Sequence, residues 1–424
     1  MMQDSSNKIQ TWLMQFDYLL LLFVLLATAL GIIVMHGGTS NVGGLSQYVP
    51  RQIQWWKVSI VIFFMAVLFP YRWLRYLGWP LYLFSILLLL IVWLSAKDKL
   101  NLGFIDAVRA GGADSWLRIN LGARSFQFQP SELTKISTVI ILASWLAWRR
   151  QKLTNVWECI VPGAVALIPF VLIAIQPDVG TAAIFLPLPF LLLFVAGLRW
   201  KIVGTTIVLG LLLAVSGTIY FLQADEAPFL RKYHLRRIQV FLEPIVQPFK
   251  LPGVEEILYG TGPADNGAPQ DEKKADDWNI RQAEMALGSG RLFGKGWGKG
   301  TQARYRFLPE HHTDFIFCSL GEQFGLAGCL GLILLYVLIG WRVFHIAIET
   351  RNFFGKYMVV GLMSIIFIHI FLNIGMMVRL LPVAGLPLPL MSYGGTFLAA
   401  NYLMFGLIVN VGMRRDPRDF QQQT

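Results

Sequence analysis

Charge is scarce in this chain. Only 14% of its 424 residues are Asp, Glu, Lys or Arg, 55% are hydrophobic, and the mean hydropathy is +0.55. A soluble domain has no use for so much apolar surface, so the composition is that of a polytopic membrane protein. Cysteine is scarcer still. Cys159, Cys318 and Cys329 lie in or beside apolar runs without metal-ligand spacing, which excludes a disulfide framework and a zinc site. No GxxxxGK(S/T) phosphate loop occurs in the glycine-rich part of the chain. No small-residue processing site follows the first apolar run, which therefore reads as a span and not as a cleaved leader. A net charge of +11 is no nucleic-acid footprint here, because the basic residues sit in short tracts between apolar runs.

Ten apolar runs are candidate spans: Tyr18–Met35, Trp55–Phe69, Tyr76–Ala96, Leu133–Trp148, Ile160–Ile175, Ala182–Leu198, Ile202–Leu222, Phe315–Trp341, Tyr357–Val378 and Thr396–Met413. The second and fifth are short for a hydrocarbon layer of ~30 Å. Together they predict an all-α polytopic domain over residues 1–424, with a long loop between spans seven and eight, about 223–314. Arg72, Arg75, Arg149, Arg150, Lys152, Arg199, Lys201, Arg342, Arg351, Lys356, Arg414, Arg415 and Arg418 fall on one set of connections. The opposite short connections carry little beyond Arg51, Lys57 and Arg379. The positive-inside rule then puts both termini in the cytoplasm. It puts residues 97–132, 176–181 and 223–314 outside.

The stretch Gly288–Asp314, GSGRLFGKGWGKGTQARYRFLPEHHTD, is basic, glycine-rich and aromatic, and it ends in an acid at the edge of an apolar helix. A carboxylate there is costly to keep charged and is expected to have a job. The plain structural alternative is that Asp314 caps the helix, as Asp often does. Lys295, Lys299, Arg304 and Arg306 are candidates for phosphate or carboxylate contacts, or simply for a basic face near anionic headgroups. Glu132 and Lys135, three residues apart, fall on one helical face and enter hydrocarbon together as a pair. Asp178 is expected to organise its turn, with Gly180 supplying backbone freedom. Pro382, Pro387 and Pro389 break any helix around them, and irregular backbone at membrane depth must line a cavity or pack in protein. Residues 253–277, rich in Gly, Pro and acids, read as a mobile insertion with little packed structure.

Several motifs resemble the SEDS family (shape, elongation, division, sporulation). They are FQPSELTKIS at Phe128–Ser137, QPDVGT at Gln176–Thr181, RRIQVFLEP ending at Pro244, RQAEMALGSGRLFGKGW at Arg281–Trp297, FLPEHHTDFIF at Phe307–Phe317 and LPVAGLPLPLMSYGG at Leu381–Gly395. The GKGWGKGTQ and LPVAGLPLPL wordings are closer to the RodA branch than to FtsW. The resemblance implies a peptidoglycan glycosyltransferase of the cytoplasmic membrane. Such an enzyme polymerises lipid II on the outer face, beside a class B penicillin-binding protein and other membrane proteins of the elongation complex.

The resemblance carries roles to particular positions. Asp314 matches the family's essential aspartate and is expected to be the general base. Glu132 and Lys135 match residues that line the central cavity. Gln282, Lys295, Arg304, Arg306, His312, Ser392 and Tyr393 are expected on the substrate side, with His312 orienting a loop and His311 at a variable place. The family's Arg before the Trp of the first outer loop is missing. The pair here is Ser115-Trp116, and Arg118 is the charge available to replace it. A magnesium or manganese ion could share the diphosphate charge, although no acidic cluster would hold one alone. Two other readings fit the same composition: a lipid-linked precursor flippase, and an inert scaffold for a transpeptidase. The outward acid and the lack of a repeat between the halves argue against the first, and the retained Asp314 argues against the second.

Overall fold

The computed structural model describes residues 14–39, 47–97, 105–110, 113–121, 124–149, 156–202, 204–205, 208, 210, 270–301 and 312–414. The expected span Ile202–Leu222, the insertion up to residue 269, and His311, Arg304 and Arg306 lie wholly or mostly outside them.

Apolar runs become helices, because only intrasegment hydrogen bonds satisfy a backbone in hydrocarbon, and the polar segment Gln270–Ser289 is helical as well. In chain order they are α1 (Tyr18–Thr39), α2 (Tyr48–Leu68), α3 (Arg72–Ala96), α4 (Pro130–Arg149) and α5 (Ile160–Ile175). There follow α6 (Val179–Ala183), α7 (Pro187–Val195), α8 (Gln270–Ser289), α9 (Ile316–Glu349), α10 (Phe353–Met377) and α11 (Gly395–Met413). Among the described residues, six helical segments are long and apolar enough to cross a membrane. At 22 residues, α1 reaches about 33 Å, enough for the hydrocarbon layer. This is a multi-span helical membrane protein. Helix α2, built on a run that looked short, extends back to Tyr48 and has 21 residues.

Polar residues fix the helix ends. Asp17 accepts the Leu20 N–H at 2.9 Å and also holds Arg342 of α9 through both oxygens, at 2.8–3.2 Å, which ties α1 to α9. Asn352 caps α10 by accepting from Phe354 and Gly355. The centre of the bundle is α4, α10 and α11. In α10, 67% of the most apolar window is buried, and in α11 78%, against 28% in α3 and α5. Such depth explains why α4 can keep Glu132 and Lys135 in its first two turns.

Four features differ from the sequence expectation. The sixth run is not one helix. Pro187 and Pro189 remove N–H donors, and the chain turns between α6 and α7. The eighth is interrupted at Gly325 (φ 67°, ψ −163°). The loop 97–132 is not wholly irregular but carries a three-stranded antiparallel sheet: β1 (Ile105–Ala110), β2 (Ala113–Leu121) and β3 (Arg124–Phe128). Its register pairs Val108 with Trp116 and Leu117 with Phe128. Residues 270–277, expected inside an unpacked insertion, begin helix α8. That helix packs on α9 with Ala283 and Ala286 buried.

Candidate functional site

The Pro-broken segment between α10 and α11 folds back onto the residues that precede α9. Ser392 Oγ donates to the Thr313 carbonyl at 2.6 Å and accepts the Leu388 N–H at 2.7 Å. The Tyr393 N–H donates to the His312 carbonyl at 2.8 Å. Asn373, buried in α10, donates to the carbonyls of Asp314 at 2.9 Å and Leu386 at 2.6 Å. From α2, Gln52 donates to the Ser392 carbonyl and accepts from the Gly394 N–H, at 3.1 and 3.3 Å. The Pro-broken loop and α10 therefore hold His312–Asp314 by its backbone, and α2 steadies the loop through Gln52. Around it lie three rings: Tyr48 is 4.3 Å from His312 and 4.9 Å from Tyr393, centroid to centroid, and the Arg51 guanidinium lies beside the Tyr393 hydroxyl. Asp314 is half-buried, and the N-cap position of α9 belongs to Phe315.

A second polar cluster lies one helical turn away along α10. Lys135 Nζ is 2.9 Å from Glu132 Oε1 and 2.7 Å from His369 Nε2, all three buried. Phe397 of α11 closes over it, with Lys135 Nζ 5.6 Å and the His369 ring 5.2 Å from its centroid. Two opposite charges in one buried place are tolerable only because they neutralise each other. The second Glu132 oxygen is buried with no hydrogen-bond partner among the described residues. The Pro387 backbone lies beside the His369 ring, so the loop that holds Asp314 also touches this cluster.

The QPDVGT turn packs against the same Pro-broken segment. Asp178 caps α6 by accepting the Thr181 N–H at 3.1 Å, and Gln129 donates to its other oxygen at 3.2 Å. Burial raises the Asp178 carboxyl above its ordinary range, against the bonds from Thr181. Gly180 departs from its expected role. Its backbone is not left-handed; it is a close approach, since a Cβ there would stand 2.2 Å from the Ala384 carbonyl oxygen.

The remaining expected residues are dispersed. Arg118 sits in β2 opposite Gln127, whose amide oxygen accepts from the guanidinium at 2.8 Å, so it is a sheet residue. Gln282 is buried in α8. Lys295 points at Glu322 of α9, with Nζ 2.7 Å from Oε1. Lys299 is exposed. Among the described residues no group of three or more His, Cys, Asp or Glu is placed to hold a metal ion.

Sequence reasoning passed over His369, Asn373, Glu322, Gln52 and Tyr48. The first three carried a usable signal, being polar residues inside apolar helices. Gln52 and Tyr48 carried none.

Comparison with known proteins agrees with this architecture. A family model of cell cycle proteins, covering FtsW, RodA and SpoVE, matches residues 17–416. The peptidoglycan glycosyltransferase MrdB of Escherichia coli K12 is 32% identical over 419 residues, 98% of each chain. A chain from a structure on the coordination of polymerization and crosslinking by a peptidoglycan synthase complex superposes with a TM-score of 0.70 at 25% identity. The match covers 95% of this chain and 99% of that one. The rod shape determining protein RodA of Thermus thermophilus gives 0.60 at 26% identity, covering 94% and 97%. With a family model matching nearly its whole length and a bundle that superposes on solved members, this chain belongs to the FtsW/RodA/SpoVE family of cell cycle proteins.

Proposed function

We propose that the chain is a peptidoglycan glycosyltransferase of the RodA branch, polymerising lipid II into glycan strands during cell elongation. It would lie in the cytoplasmic membrane with both termini inside and the site facing outward. The observation that carries this reading is the triple backbone anchoring of His312–Asp314, in which α10 and the Pro-broken loop place one acid at the head of an apolar helix. Bond formation needs a sugar hydroxyl to attack the anomeric carbon of a diphosphate-linked sugar from the opposite face. The hydroxyl proton passes to Asp314, the C–O bond to the diphosphate breaks, and the diphosphate leaves with its electron pair. Cations must meet that departing charge. Arg304 and Arg306, in the segment just before Asp314, are our candidates, with Lys135 deeper along the lipid path.

A divalent ion would have to take most of its ligands from substrate oxygens and water, since the described residues offer no acidic cluster. We derive no step through it. The solved peptidoglycan synthase complex couples polymerization to crosslinking, so a class B penicillin-binding protein is the partner we propose.

The test uses purified protein with its transpeptidase partner and lipid II in detergent, where there are no two sides to carry lipid between. The parent should form polymer, and Asp314→Ala and Asp314→Asn should form none while remaining folded. Near-normal polymer from Asp314→Asn would remove the base assignment. Silence in detergent, with leaflet transfer of lipid II in sealed vesicles undiminished by Asp314→Ala, would establish the flippase.

A further inference from the structure

Helix α9 is broken at Gly325 and mended by a different part of the chain. In an unbroken helix the Leu326 N–H would reach the Glu322 carbonyl, and the Ala327 N–H that of Gln323. Instead Leu326 donates to the Arg291 carbonyl at 2.8 Å and Ala327 to that of Leu292 at 3.0 Å. The vacated carbonyls of Glu322 and Gln323 accept from the N–H groups of Lys295 at 2.9 Å and Gly296 at 3.1 Å. Segment 291–296 thus sits inside the break and replaces two helical bonds by four. Glycine is required for contact this close: a Cβ on Gly294 would stand 2.2 Å from the Gln323 oxygen, and one on Gly325 2.4 Å from the Gly294 nitrogen.

Side chains lock the insertion. One oxygen of Glu322, Oε1, accepts from Lys295 Nζ at 2.7 Å, the Thr301 N–H at 2.7 Å and Thr301 Oγ1 at 2.9 Å. The Glu322 side chain is 1% exposed and that of Lys295 28%. Gln323 donates to the Val34 carbonyl, and Trp297 Nε1 to that of Ile33, so the same loop is tied to α1. The piece of α9 ahead of the break, Ile316–Phe324, is nine residues long. A helix so short does not hold itself. Asp314 stands at its head and Glu322 near its foot.

We propose that Lys295 and Glu322 are positioning residues that latch this half-helix, and with it Asp314, to the glycine-rich loop. The charge of Lys295 neutralises the buried Glu322 instead of meeting the substrate diphosphate. The latch deepens the reading of Asp314 as base and rests on it. Thr301, held by Glu322, begins the segment 302–311 that ends at the anchored His312, so the latch fixes one root of that segment while Ser392, Tyr393 and Asn373 fix the other.

The polymerisation assay in detergent tests this with Lys295→Met, Glu322→Gln, the double variant and Lys295→Arg, each checked by thermal unfolding. Either neutralising change alone leaves one charge without its partner. It should lower kcat by about tenfold or more, with KM for lipid II within about twofold. The double variant should recover to within about threefold of the parent, because the amide oxygen introduced by Glu322→Gln keeps the Thr301 bonds and no lone charge remains. Lys295→Arg should retain activity. Hydrogen exchange over 291–301 should quicken in the two single variants and return toward the parent in the double. If a single variant fails to fold, the double against the parent decides. A double variant no faster than Lys295→Met would show that Lys295 meets substrate, and fully active single variants would show that the latch does nothing; either overturns the proposal. An active Asp314→Asn protein would remove the base reading alone and leave this cycle readable.

Discussion

Asn373 donates a 2.9 Å hydrogen bond to the backbone carbonyl of Asp314, and the same amide nitrogen reaches Leu386 at 2.6 Å. One side chain of α10 therefore holds the acid and the Pro-broken loop in register. Four residues earlier, His369 of the same helix face contacts Lys135 at 2.7 Å. The two polar clusters are joined through one turn of helix.

Asn373→Leu should fold less stably and polymerise more slowly. The buried Leu386 carbonyl and the half-buried Asp314 carbonyl would lose this donor, the buried one at a cost of about 1–3 kcal/mol where no water replaces it. Thermal unfolding in detergent and a rate at saturating lipid II measure the two effects. An unchanged rate beside a lowered melting temperature would mean that the bond stabilises the bundle without placing Asp314.

Glu132 and Lys135 should be strongly non-additive. Removing one partner of a buried pair strands the other and costs about 3–5 kcal/mol, while replacing both by apolar residues costs much less. Glu132→Leu and Lys135→Met should each lower stability more than the double variant does. His369 adds a second partner for Lys135, so Lys135→Met should also loosen α10 against α4. Plain additivity in the thermal cycle would reject the pairing. Activity of the double variant is a separate reading, and its loss would assign the pair to substrate.

Gly180→Ala should be costly for a reason of space and not of backbone conformation. The added methyl would stand 2.2 Å from the Ala384 oxygen, so the 381–390 loop must move away from the turn. Overpacking of this kind costs about 1–3 kcal/mol. The displacement should reach Ser392 and slow polymerisation, whereas Gly163→Ala, with nothing within 4 Å, should leave the rate unchanged.

The sequence alone determined that this is a membrane bundle, because hydrocarbon demands long apolar runs and helices that satisfy their own backbone. It also placed Glu132 and Lys135 on one face, since an i,i+3 spacing needs only the period of a helix. Its glycine and proline positions marked the special backbone at 288–301 and 381–395. What those glycines were for lay beyond it. The insertion of 291–296 into α9, and the meeting of Lys295 with Glu322, join residues 27 apart through a helix break that apolar periodicity does not register. The split of the sixth run, and the strands within 105–128, were decided by local prolines and alternation too short to outweigh the apolar signal. The site itself, where Ser392 meets Thr313 across 79 residues of chain, exists only once α10 and α11 have packed. Contacts at that separation are set by which faces bury together, and a linear sequence records the faces but not their pairing.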